Sequence, residues 1–134
     1  MLKKYNINEI EKIIFEVKPW DIIFLHWDLA AWKTTLSKHI INNLLKINQE
    51  VKSPTYTYYN KYAENIYHFD LNRLKEYDEF FAIWWEDILD NNKNISIIEW
   101  PEVISKYYKP TIEIFLEKTD NEFERIIKIN KSWI

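Results

Sequence analysis

Lys33 and Thr34 stand near the end of a nine-residue segment, Trp27-Asp28-Leu29-Ala30-Ala31-Trp32-Lys33-Thr34-Thr35, between an apolar run and a helical pattern. A lysine ammonium followed at once by a hydroxyl is the pair that takes a nucleotide's β- and γ-phosphates and the Mg²⁺ bridging them. The spacing is that of the phosphate-binding loop G-x-x-x-x-G-K-[ST], with Trp27 and Trp32 in the two glycine places. Such a cradle turns successive backbone N–H groups inward, at dihedrals and approach distances that a residue lacking Cβ reaches most easily. Indole is the least suitable replacement.

The whole chain shares this peculiarity. Its 134 residues include seven tryptophans and no glycine, whereas average usage gives about nine glycines in this length. Trp20 follows Lys18-Pro19 at a turn into an apolar run, and Trp84 lies in Ala82-Ile83-Trp84-Trp85-Glu86, where one helical pattern passes into the next. These placements lead to the hypothesis that several tryptophans are glycines written from UGA codons that the source organism reads as glycine. A chain made glycine-free by design is the competing explanation, although such a design would favour alanine or asparagine over tryptophan.

The elements that must position this segment follow from periodicity. Asn8 can cap a helix over about residues 9 to 17, with Ile10, Ile13, Ile14 and Val17 on one face, and Pro19 ends it. Ile22-Ile23-Phe24-Leu25 reads as a strand buried on both faces. From Lys33, the apolar positions Leu36, Ile40, Ile41, Leu44 and Leu45 predict a helix, which completes the strand, loop and helix that a phosphate-binding loop requires. Tyr56 to Tyr62 and Ile66 to Phe69 suit paired strands around a turn near Glu64-Asn65, and residues 71 to 90 are helical by pattern. Ile95-Ser96-Ile97-Ile98 is a second buried-type strand, and Thr111 to Leu116 with Phe123 to Ile129 suit an antiparallel hairpin solvated on one face. The expected fold class is α/β, a mixed sheet of the P-loop NTPase kind flanked by helices and closed by a C-terminal antiparallel hairpin.

Two carboxylates fall at the C-terminal ends of apolar strands, Asp70 and Glu99. In an open α/β sheet that edge is where ligands bind, so both point toward the loop at residues 27 to 35. A strand-end carboxylate completes a Mg²⁺ shell with the loop hydroxyl, which makes Thr34 and Glu99 the candidate metal ligands and Lys33, Asp70 and Glu99 the candidate catalytic set. Asp70 also suits a helix cap for Leu71 onward. His68 reads as a structural hydrogen-bonder, since no second His or Cys is placed to share a metal with it. Tyr56, Tyr58, Tyr59 and Tyr62 suit a half-buried sheet or a protein-docking face better than base stacking on RNA.

Bulk properties narrow the classes. The length suits one domain over residues 1–134. A net charge of -3 with both signs interspersed argues against a large nonspecific nucleic-acid footprint. The absence of cysteine excludes disulfides, thiolate metal sites and a cysteine nucleophile. No apolar run is long enough to span a bilayer, and the N-terminus leads into an amphipathic pattern, so the expectation is a cytoplasmic protein without a membrane partner.

Four segments together resemble the TsaE family, small bacterial ATPases of tRNA threonylcarbamoyladenosine biosynthesis. They are Trp27 to Thr35, Ser53-Pro54-Thr55-Tyr56-Thr57, Tyr67-His68-Phe69-Asp70-Leu71-Asn72-Arg73-Leu74 and Ile98-Glu99-Trp100. The family reads G-D-L-G-A-G-K-T-T, S-P-T-[YF]-T, Y-H-[FM]-D-[LV]-Y-R-[LM] and [IV]-E-W in the same order. Trp20, Trp27, Trp32 and Trp84 fall on family glycines, whereas Trp100 is the family's own tryptophan. Ala30 also replaces a usual glycine, and Asn72 a usual tyrosine. The resemblance implies ATP bound by Trp27, Asp28, Leu29, Ala30, Ala31, Trp32, Lys33, Thr34 and Thr35, and slow hydrolysis with Mg²⁺ held by Thr34 and Glu99. It further implies that Asp70 is needed for turnover and that Thr55 is a switch element near the γ-phosphate. The implied partners are TsaB and TsaD, with tRNA met only through their complex.

Two other readings compete. A small P-loop kinase shares the loop but generally carries an arginine-bearing lid, and Arg73 and Arg125 are the only arginines here. If the tryptophans are real, the chain is a degenerate, non-hydrolysing binding module. The codons separate these readings: UGA is expected at Trp20, Trp27, Trp32 and Trp84 and UGG at Trp100, and protein from the native host should weigh less than the printed sequence. UGG at Trp27 and Trp32 would end the codon hypothesis.

Overall fold

A computed structural model describes residues 2–26, 30–52, 59–71 and 86–132, with backbone alone for 30–34. Among the described residues seven strands form one sheet: β1 (Leu2–Asn6), β2 (Ile22–His26), β3 (Tyr59–Tyr62), β4 (Ile66–Asp70), β5 (Ile95–Glu99), β6 (Ile112–Lys118) and β7 (Glu124–Lys131). Their spatial order is β1-β7-β6-β2-β5-β4-β3. The inner pairs β6/β2, β2/β5 and β5/β4 are parallel, while β1/β7, β7/β6 and β4/β3 are antiparallel. This is the mixed sheet expected, with the C-terminal hairpin in place.

The composition of the inner strands explains their position. Every residue of β5 is buried, as are Ile23, Phe24 and Leu25 of β2. Alternation divides their side chains between two faces. Ile23, Leu25, Ile97, Ile112 and Ile114 pack with Leu36, Ile40 and Ile41 from helix α1 (Ala30–His39) and the π-turn Ile40–Leu44 that continues it. On the opposite face Phe24, Phe69 and Ile98 pack with Leu71, Ile104 and Leu89, the last from the short helix α2 (Glu86–Asp90).

Three expectations are corrected. The helix over 9 to 17 is a 3₁₀ turn, Ile7–Lys12, capped by Asn6 and followed by an extended Ile13. Asn6 Oδ1 accepts from the Asn8 N–H at 3.1 Å, and Glu9 Oε1 accepts from the Asn6 N–H at 2.9 Å. These bonds fix a tight turn, while Ile13 enters the core and Ile14 remains exposed. The Asn6 N–H, with Lys12 beside it, holds the Glu9 carboxyl below its ordinary range. Ahead of that turn lies β1, an unexpected edge strand whose place comes from pairing with β7. Third, α1 begins at Ala30 and not at Lys33. Ala30 and Ala31 favour helix strongly, and without glycine at 30 or 32 nothing opposes their inclusion. Of the helical pattern at 71 to 90, residues 72–85 lie outside the described residues.

The turn into β2 shows what a glycine-free chain must accept. Lys18 O accepts from the Asp21 N–H at 3.0 Å, with Pro19 and Trp20 between them. Trp20 takes φ 80°, the third position of a type II turn, where the left-handed backbone favours glycine. Asp21, fully buried, secures the turn: its Oδ2 accepts from the Lys18 N–H and its Oδ1 from the Thr111 hydroxyl at 2.8 Å. A left-handed residue bearing Cβ costs about 1–2 kcal/mol, and Trp20 is 46% exposed and belongs to neither core cluster. Trp20→Gly is therefore expected to stabilise the fold by about 1 kcal/mol, read as a higher urea midpoint with unchanged m-value. A lower midpoint would mean that the indole is part of the fold.

Candidate functional site

Parallel pairing carries the C-terminal ends of β2, β5 and β4 to one edge of the sheet. There Leu25 lies opposite Glu99 and Glu99 opposite Asp70 in a single row. Leu25 packs in the cluster that holds Leu36 of α1, so the row belongs to the α1 face. Adjacent strands lie about 4.8 Å apart, which makes Asp70 and Glu99 neighbours. One residue after Leu25 the strand ends at His26, and α1 starts four residues later at Ala30.

Lys33, Thr34 and Thr35 lie in the first two turns of α1, preceded within the helix by Ala30, Ala31 and Trp32. Trp27, Asp28, Leu29 and Thr55 lie outside the described residues, as do the side chains of residues 30–34. Asp70 is half-buried, and Glu99 is wholly buried.

Glu99 is paired in a way that its position demands. A buried carboxylate requires donors to offset its lost hydration. His68 supplies one, with Nε2 2.9 Å from Glu99 Oε2 and both side chains enclosed. His68 is thus the hydrogen-bonder expected, and its partner is the candidate metal ligand. Past Asp70, the Leu71 N–H continues the ladder by donating to Glu99 O at 3.1 Å. Trp100 then turns the chain away with φ 58° and ψ 57°, immediately before Pro101. Proline disfavours the right-handed region in the residue before it, and Trp100 makes the reversal in the left-handed one. Strain of this kind next to a buried acid is characteristic of functional sites.

A second cluster at this edge was not found in the sequence. His26 stacks on Phe115 with ring centroids 4.5 Å apart, and its Nε2 lies 2.7 Å from Glu113 Oε2. Its Nδ1 faces Glu102 at 3.9 Å, joining the end of β2 to the 3₁₀ turn Pro101–Val103. Glu113, set between buried Ile112 and Ile114, was the available signal. Its partner depends on the β2/β6 register.

The donor chemistry fits Mg²⁺. Asp70 and Glu99 offer hard carboxylate oxygens, and Mg²⁺ takes one or two of these together with phosphate oxygens and water. Among the described residues no three His, Cys, Asp or Glu side chains are grouped to hold a metal by themselves.

Residues 3–127 match the sequence profile of the family described as threonylcarbamoyl adenosine biosynthesis protein TsaE. The chain belongs to the TsaE family. Among its relatives is the tRNA threonylcarbamoyladenosine biosynthesis protein TsaE of Rickettsia prowazekii, 35% identical over 133 residues, covering 96% of this chain and 90% of that protein. The protein of the same name from Rickettsia typhi is 36% identical over 119 residues, covering 86% of this chain and 81% of that one. In three dimensions the fold resembles the crystal structure of Bacillus subtilis YdiB, with a TM-score of 0.70 and 21% identity over 98% of this chain and 86% of that one. At that identity the likeness speaks for the fold, a TsaE-type mixed sheet. No helix of the described residues is long and apolar enough to cross a membrane.

Proposed function

We propose that this chain is a Mg²⁺-dependent ATPase of tRNA threonylcarbamoyladenosine biosynthesis, acting in the cytoplasm on a TsaB–TsaD complex. The observation that carries the chemistry is the acidic pair Asp70 and Glu99, side by side at the ends of parallel strands on the face of α1. The pathway comes from the family and from the names of the rickettsial relatives. Lys33 would meet the β- and γ-phosphates, and Thr34 with Glu99 would hold Mg²⁺, which supplies charge neutralisation on the phosphate oxygens. Asp70, half-buried beside Glu99, orients water or a metal-bound water without gripping the nucleotide. Thr55 is assigned as the switch residue near the γ-phosphate.

One observation favours the second reading, a module that does not hydrolyse ATP. With tryptophan at 27 and 32, α1 starts at Ala30, and helix occupies part of the stretch that a phosphate cradle needs as loop. The two readings differ by two residues. Protein with the printed sequence is expected to show no ATP binding by calorimetry, and Trp27→Gly with Trp32→Gly is expected to restore it. Charge-assisted hydrogen bonds at about 1.5–3 kcal/mol each account for most of a micromolar affinity. Equal affinity in both proteins would refute this. On the glycine background, Lys33→Ala should abolish binding and Thr34→Ala or Glu99→Ala should weaken its Mg²⁺ dependence. Asp70→Ala should retain ATP while hydrolysis falls, and an unchanged rate would reduce Asp70 to a helix cap.

The partner claim is checked separately. The glycine-bearing protein should be retained by a TsaB–TsaD pair and should allow repeated rounds of adenosine modification when TsaD is limiting. At a net charge of -3 it should bind naked tRNA weakly in a low-salt gel shift, because phosphate contacts supply most nonspecific affinity. Tight binding to naked tRNA, with no effect on the complex, would indicate an RNA-directed enzyme.

A further inference from the structure

We propose that His68 is a positioning residue for the metal site: its Nε2–H fixes the orientation of the Glu99 carboxylate and so sets the affinity for Mg²⁺. The proposal rests on Glu99 being a ligand, as assigned above. A glutamate carboxylate rotates broadly about its last torsion, and a ligand that must first be oriented binds metal less tightly than one already held. The 2.9 Å bond from His68 to Oε2 removes that freedom. His68 is itself held, because β4 is paired on both sides, with His68 opposite Asn60 of β3 and Ile97 of β5.

The other ring nitrogen strengthens the case. His68 Nδ1 is buried and has no hydrogen-bond partner among the described residues. A buried polar atom left unsatisfied costs stability. A position that served only to fill the α1 face would be better occupied by leucine or isoleucine, as at Ile66 and Ile97 in the same cluster. The histidine carries this cost while directing its described polar contact to Glu99. A donor in that place and an apolar ring body against the core are what the carboxylate needs.

The test uses the protein with Trp27→Gly and Trp32→Gly, loaded with ATP, and reads Mn²⁺ affinity by electron paramagnetic resonance alongside thermal melts of the nucleotide-free chain. His68→Leu is expected to weaken the metal about 10–100-fold, and His68→Gln, which returns a donor toward Glu99, is expected to recover most of that loss. ATP affinity without metal should stay the same in both. A purely structural histidine would lower the melting temperature in both variants and leave metal affinity untouched, and that outcome overturns the proposal. If His68→Leu does not fold, His68→Met makes the same comparison with a more adaptable side chain. Metal binding in the parent that survives Glu99→Gln undiminished would instead remove Glu99 from the ligand set, and the role of His68 with it.

Discussion

The candidate site depends on parallel pairing along β2, β5 and β4. A parallel ladder brings equivalent strand ends to the same edge, and the register decides which side chains meet there. Because side chains alternate at every residue, a slip of one position between β4 and β5 would send Asp70 and His68 to the face of Phe24 and Ile98, away from α1. That slip would also pull Phe69 out of its cluster with Phe24 and Ile98 and put the charged Asp70 against it, so the apolar packing on that face opposes the slip. The hydrophobic core therefore specifies the geometry of the acids as well as the stability of the sheet.

The second constraint is the backbone without glycine. Trp20, Lys46, Ala63 and Trp100 all adopt positive φ. Each stands where glycine would meet little resistance: a type II turn, the end of the π-turn, the β3–β4 connection and the reversal after Glu99. At Lys46 and Ala63 the side chain is long and flexible or small. Trp20 and Trp100 carry the bulkiest side chain into the same conformation, yet they differ in setting. Trp20 lies far from the acidic row, in a turn whose hydrogen bonds involve Lys18, Asp21 and Asn94. Trp100 follows Glu99 directly and separates it from Pro101. The UGA hypothesis takes the first as a written glycine and the second as a true tryptophan, consistent with strain being retained where a site benefits from it.

Much of this was legible in the chain because it was local. Apolar runs mark β2 and β5, a turn near Glu64-Asn65 marks β4 as the partner of β3, and a largely alternating pattern marks the β6–β7 hairpin. What escaped was set by partners distant in sequence. β1 offers only Tyr5 to the core, and exposed Leu2, Lys3 and Lys4 give no strand pattern until β7 pairs with them. The isoleucines at 10 and 13 are buried as a helical pattern predicts, but the Asn6–Glu9 capping box closes a 3₁₀ turn and Ile13 continues extended. The contacts His26–Glu113 and His68–Glu99 join residues 87 and 31 positions apart. No periodicity within a segment encodes such pairs.

The two acids of the row are not equivalent, and their settings differ in ways that bear on the roles proposed for them. Glu99 ends the strand between β2 and β4, is enclosed completely and has a buried donor on Oε2. A carboxylate in that setting is held in one orientation and is dry, which suits a ligand whose place should not vary between cycles. Asp70 ends the next strand outward, has the shorter side chain and keeps some access to solvent. Orientation of a water molecule requires that access, whereas permanent burial would obstruct it. Exchanging the two residue types would place a longer, solvated carboxylate on β4 and a shorter one, out of reach of the His68 donor, on β5. Under the proposed roles, the order Asp then Glu along the chain matches where each strand lies in the sheet.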